Sequence, residues 1–154
     1  MKKFRRTIII ICSILLIPII LTSIPSGKYL NSYWKKIMIG ENAKVIEVNK
    51  KWKIDNASII IQRVIITDKH VYIRARYVSL EIGWSFDFGS IEMYDDKGKR
   101  YFNSTGEGRG KLWGGEEITQ YEKVPKDCKE ITLRLQCYDR KAELKIPCKG
   151  GKNI

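Results

Sequence analysis

The chain has 154 residues, which suits one domain with short extensions rather than two full domains. Its 29 Lys and Arg against 17 Asp and Glu give a formal net charge of +12, and 44% of its residues are hydrophobic, which excludes a disordered or collagen-like chain. A single histidine, His70, leaves little room for histidine-centred catalysis or metal binding.

The charge is unevenly placed. Lys2, Lys3, Arg5 and Arg6 precede residue 7 with no acid among them, while from Lys28 onward 25 basic and 17 acidic residues leave +8. Between these regions, Thr7 to Ile24 carries no charge and is mostly Ile and Leu. As a helix this stretch would run about 27 Å, close to the roughly 30 Å of a bilayer's hydrocarbon core. A lone span must be helical, because lipid offers its backbone no hydrogen-bond partners. The division expected is a cytoplasmic stub at 1–6, a transmembrane signal anchor at 7–24, a juxtamembrane segment at 25–42 and an extracytoplasmic domain at 43–154. A cleaved signal peptide is the competing reading. Residues 21–27, Leu-Thr-Ser-Ile-Pro-Ser-Gly, offer no good small-x-small cleavage site, which favours the anchor. Under either reading the basic flank stays in the cytoplasm and the rest is exported.

In the juxtamembrane segment, Tyr29, Leu30, Tyr33, Trp34, Ile37 and Met38 recur at helical spacing, opposite Asn31, Ser32, Lys35 and Lys36. Such a helix would lie in the headgroup layer or pack on the domain below it.

From about Ala43 the period changes to two. Ala57–Thr67 and His70–Val78 form a hairpin about Asp68-Lys69, with Ile66 opposite Val71, Val64 opposite Ile73 and Ile60 opposite Tyr77. A second hairpin joins Glu130–Tyr138 to Lys141–Cys148 about Asp139-Arg140. Its register sets Leu135 opposite Leu144, Leu133 opposite Ile146 and Ile131 opposite Cys148, with Cys137 facing the core. A third turns at Asp95-Asp96-Lys97-Gly98, between Ser85–Tyr94 and Arg100–Ser104, with a bulge at Gly89-Ser90. Lys44–Val48 and Ile118–Val124 complete the strands, and Gly106–Gly110 reads as an exposed mobile loop. Seven or eight short strands predict an all-β domain, an immunoglobulin-like β-sandwich in first place.

Ile-Ile-Gln-Arg-Val at 60–64, the run from Ile91 to Tyr101 and Lys129-Glu130-Ile131-Thr132-Leu133 resemble a family of uncharacterised extracytoplasmic immunoglobulin-like domains of Gram-positive bacteria, over roughly residues 45–148. Such domains often follow a single membrane span, sometimes at the C-terminus of anti-sigma-factor-like proteins. The resemblance implies a location and a fold, and no catalytic residues. An anti-sigma activity needs a cytoplasmic domain, and only six residues precede the span.

Few side-chain groupings suggest chemistry. No acid–base pair with defined spacing emerges, and no C-x-x-C is present, so no enzyme activity, metal or cofactor is expected. Cys128 and Cys148 fall near the open end of the second hairpin and are candidates for a disulfide, or else are free thiols. Arg63 and Arg74 face each other across the first hairpin, with Arg76 opposite Ile61 and with Ile61, Ile65 and Tyr72 on the same face. Facing like charges are destabilising. Either another segment, such as the strand near Trp52, covers this face and supplies an acid, or the three guanidinium groups form an anion or partner-binding site. The function expected is a membrane-anchored extracytoplasmic binding module for an unknown protein or envelope component. The alternative is a cationic domain that holds wall polymers or anionic lipid. Nucleic acid is not expected as a partner of an exported domain.

Overall fold

The computed structural model describes residues 2–22, 43–81, 85–137 and 139–153. The N-terminal helix α1 runs Lys2–Thr22, so it takes in the basic flank as well as the apolar run. Its window Phe4–Leu21 has a mean hydropathy of 2.3, long and apolar enough to cross a membrane, a property that anchors share with signal sequences. The juxtamembrane segment 25–42 lies outside the described residues.

Beyond Ala43 the chain is β. Its strands are β1 (Lys44–Ile54), β2 (Ala57–Ile66), β3 (His70–Ser79), β4 (Ile91–Tyr94), β5 (Arg100–Tyr101), β6 (Asn103–Lys111), β7 (Gly114–Glu122), β8 (Glu130–Cys137), β9 (Arg140–Pro147) and β10 (Lys152–Asn153). They build two antiparallel sheets. The larger has the order β10-β1-β2-β3-β7-β6 and the smaller β5-β4-β8-β9. Ile59, Ile61, Val64, Ile73 and Tyr121 from the larger sheet share one apolar core with Met93, Ile131, Leu133 and Leu135 from the smaller. Burial of this core is the main favourable contribution to folding.

Three expected registers are corrected. In the first hairpin, Ile66 pairs with Val71 and Val64 with Ile73, but the register shifts between Ile61 and Arg63, so Ile59 rather than Ile60 opposes Tyr77. Gln62 is the extra residue of a β-bulge, and it reverses which side chains of β2 face inward. In the second hairpin the turn sits one residue earlier. Leu135 opposes Ala142, Leu133 opposes Leu144 and Ile131 opposes Ile146. This slip of two leaves both faces unchanged, because side chains alternate with period two. Gly89-Ser90 belongs to a 3-10 turn, Phe88–Ser90, whose cap Asp87 accepts from Gly89 N at 2.8 Å. The β4 arm therefore begins at Ile91 rather than Ser85.

The turn between β4 and β5 follows the expected chemistry. Gly98 adopts φ +79°, which a side chain would resist. Asp95, only 5% exposed, closes the turn from within: its carboxylate accepts from Lys97 N, Lys99 N and the Tyr101 hydroxyl, each at 2.9 Å. Burial alone would push the Asp95 carboxyl up, but these hydrogen bonds outweigh it and hold it below the ordinary aspartate value. A depressed folded-state pKa stabilises above the unfolded value and is lost as pH falls through the folded one. Asp95→Ala should therefore cost about 2–3 kcal/mol near neutrality, by stranding buried donors. Urea titrations should show this difference shrinking as pH falls below the ordinary aspartate value of 3.8.

Candidate functional site

The outer face of the large sheet gathers the three candidate arginines. Arg63 stands opposite Arg74, while Arg76 stands opposite Ile60, one residue from the expected Ile61, as the Gln62 bulge requires. Ile61 itself moves into the shared core, whereas Ile65 and Tyr72 remain outside with Ala43, Val45 and Ile118 in a second buried apolar cluster. Carboxylates come from both flanking strands. Glu47 of β1, the strand that also carries Trp52, opposes Arg63, with Oε1 2.7 Å from its Nε. Glu116 of β7 opposes Arg76. Arg74, at 4% exposed, has its pKa lowered by burial and by Arg63, while Glu116 and Glu47 work in the opposite sense. The Glu116 carboxylate is buried without a hydrogen bond, so the field of Arg74 is what it offers the fold. The centre of the face thus gathers three guanidinium groups and two carboxylates beside apolar side chains.

Cys128 and Cys148 come together as buried thiols with sulfurs 3.9 Å apart. The loop before β8 curls inward, as Cys128 N donates to Pro125 O and Cys148 N to Lys129 O. Burial raises both thiols, Cys148 up to about 12, with the nearby Cys128 adding to the effect. Both are protonated near neutrality and slow to react. Cys137 opposes Arg140 in the ladder. His70 begins β3, its turn closed by Thr67, whose hydroxyl oxygen accepts from His70 N at 2.9 Å.

One cleft was not foreseen. Gly106–Gly110, expected to be a mobile loop, lies in β6, which pairs with β7 along Thr105–Lys111 and ends the large sheet. On the inner face, β6 and β7 form the floor of an open cleft of about 490 Å³. Phe86 and Phe88, edge to face at 5.0 Å, form its wall with Tyr77. The 3-10 turn is fixed against the start of β6, since Asn103 Nδ2 donates to Gly89 O at 2.9 Å. Gly106, Gly108 and Gly110 leave the floor bare because alternate side chains share a face. Glu117 fills part of that space: a Cβ on Gly106 would collide with its Oε1, and one on Gly108 would lie 3.1 Å from its Cγ. Burial raises the Glu117 carboxyl, the Thr119 hydroxyl bond opposes this, and the Asp87 charge adds to it. Glu117 and Asp87 therefore give this cleft a negative potential in a basic chain. Among the described residues no group of three or more metal-ligating side chains gathers. The legible signal was the glycine spacing itself, which has the period of a strand.

Glu116→Gln should destabilise the fold by about 3 kcal/mol, because removing a charge from a buried cluster weakens the compensation of Arg74 against Arg63 and Arg76. Chemical denaturation of the variant checks this. Mild oxidation should join Cys128 to Cys148 across a separation of 20 residues and stabilise the protein by about 3 kcal/mol. A raised melting temperature that a reductant reverses, and that Cys148→Ala abolishes, is the expected result.

No curated protein and no solved structure matches the chain. The model of the family of unknown function DUF5643 matches residues 43–148, which take in strands β1 to β9. The chain belongs to that family.

Proposed function

We propose that this chain is a membrane-tethered, extracytoplasmic, immunoglobulin-like β-sandwich that binds a protein partner without catalysis, and that the cleft over β6 and β7 is where it binds. The observation that carries this reading is the cleft's construction. A concave site with an aromatic wall, a few converging polar groups and a carboxyl shifted by its surroundings is the usual form of a binding site. The Phe86–Phe88 wall supplies apolar area, Asp87 and Glu117 supply charge, and the bare floor lets a ligand approach backbone. The apolar helix α1 supports the tether, and the basic residues at its start support an exported domain. The test places a photo-crosslinking residue at Ser104, which lines the cleft, or at exposed Lys141 on β9, in the full chain in its native membrane. A discrete adduct from Ser104 and none from Lys141 is expected. Equal adducts from both positions, or none, would overturn the assignment.

A second reading has its own observation. Where β1 and β9 meet at the open edge between the sheets, a cleft of about 620 Å³ has Val48 and Ile146 in its lining together with Lys50, Lys145 and Lys149. Apolar lining beside ammonium groups suits an anionic lipid or wall polymer. Binding of this kind should weaken steeply between about 0.05 and 0.5 M salt, as screening shortens the reach of exposed charges. Vesicle co-sedimentation across that range checks it.

A further inference from the structure

We infer that β6 is an acceptor strand: an extended peptide adds to its free edge, and Glu117 selects a lysine on that peptide. This rests on the cleft being the binding site, and it specifies how the partner is held.

Among the described residues four strands end the two sheets, and β6 is the long one that lacks proline. β5 and β10 have two residues each, and β9 carries Lys141, Glu143, Lys145 and Pro147. Proline, charge and shortness are the usual protections of a sheet edge. β6 has nine residues and no proline, and all but its last are exposed. Its charged residues Glu107, Arg109 and Lys111 stand opposite Ile118, Glu116 and Gly114, at outer-face positions of the sheet, although Arg109 also contributes to the lining of the cleft. The edge therefore presents a row of backbone donors and acceptors to which another strand can pair.

The glycines decide what such a strand would present. A strand added beside β6 would lie about 5 Å beyond it, and so about 10 Å from β7. With side chains at 106, 108 and 110, the inner face of β6 would wall off β7. With glycine there, a long side chain of the added strand can lie across the trough. Glu117 leans the other way, over Gly106 and Gly108, so its carboxylate is carried from β7 towards that same edge. Its hydrogen-bond partner within the chain is Thr119, at 3.3 Å. Asp87 adds a second negative charge nearby, and the aromatic wall favours a cation further. A lysine ammonium crossing bare glycine to meet Glu117 satisfies both the edge and the carboxylate. Alternation then places the lysine's i±2 neighbours over the rest of the trough, where small apolar residues fit.

The test uses the full chain in detergent micelles and fluorescent heptapeptides of sequence Thr-Val-Thr-Lys-Thr-Val-Thr with blocked ends. Three further peptides replace the lysine with norleucine, replace it with glutamate, or carry N-methyl groups on alternate amides. The lysine peptide should bind about tenfold or more tightly than the norleucine peptide, as a charge-assisted hydrogen bond implies. The glutamate and N-methylated peptides should not bind. Glu117→Gln should erase the preference for lysine. Gly110→Val should weaken every peptide while leaving the melting curve intact, because a Cβ at Gly110 meets nothing within 4 Å. Equal binding of the N-methylated peptide would overturn strand addition, and a lysine preference that survives Glu117→Gln would overturn the role of Glu117. A dimer dissolved by Gly110→Val would replace the peptide with a second copy of the chain. Crosslinking at Ser104 with no peptide binding would retain the cleft and remove this mode of use.

Discussion

Arg63 stays out of the core because β2 contains one residue too many. Ile59 and Ile61 point inward with nothing exposed. Strict alternation from them would carry Arg63 inward as well, into a medium where an unpaired guanidinium is far from water. Gln62 interrupts the count. After it, Val64 occupies the core and Arg63 and Ile65 face outward. The outer face of the large sheet follows from that inserted residue. It sets Arg63 against Arg74, moves Arg76 to Ile60, and brings Glu47 opposite Arg63. Any one-residue change in β2 that removed the bulge would force a choice between burying Arg63 and exposing two isoleucines.

The same outer face combines charges with an apolar patch. Ile65, Tyr72 and Ile118 are buried beside Arg74 and Glu116, so these ionised groups sit in a poorly solvated setting. Burial strengthens attraction and repulsion alike. Two carboxylates among three guanidinium groups offset much of the repulsion and leave this cluster with one net positive charge. For that reason Glu116, which makes no hydrogen bond, still matters to the fold.

How far the sequence could be read depended on what each strand buries. The β8–β9 hairpin was legible because Ile131, Leu133, Leu135, Ala142, Leu144 and Ile146 share one face and Thr132, Arg134, Gln136, Lys141, Glu143 and Lys145 the other, so even a register wrong by two residues assigned these faces correctly. The β2–β3 hairpin was legible from its turn as far as Arg63 and misread beyond it. A bulge leaves no trace when the three residues before it, Ile59, Ile60 and Ile61, are all isoleucine, so that either face reads as apolar. β6 was missed for the opposite reason. Its inner positions are glycine, so it shows no apolar alternation, and glycine is a turn residue by prior expectation. The outer-face arginines could be listed from sequence, but their carboxylates sit on β1 and β7, and no local pattern reveals which strands flank a hairpin. The cleft was harder still. It needs Phe86 and Asp87 beside a 3-10 turn, and Glu117 from a strand that follows β6 in sequence but lies under it in function.

The +8 of residues 28–154 is therefore not a uniform property of their surface. Exposed lysines occupy the β9 edge and the opening between β1 and β9, while the trough over β6 is acidic. Fields of opposite sign on different parts of one small domain have different consequences. Bulk positive charge draws any polyanion weakly and yields to salt. A partly desolvated carboxylate at a hydrogen-bonding edge acts over a few ångströms and resists screening. It also repels acidic segments, so it discriminates as well as attracts. Under the proposed tether, such discrimination counts for more than raw affinity. Confinement to a membrane would raise the local concentration of any partner held there, and selectivity would then come from the groups that contact it.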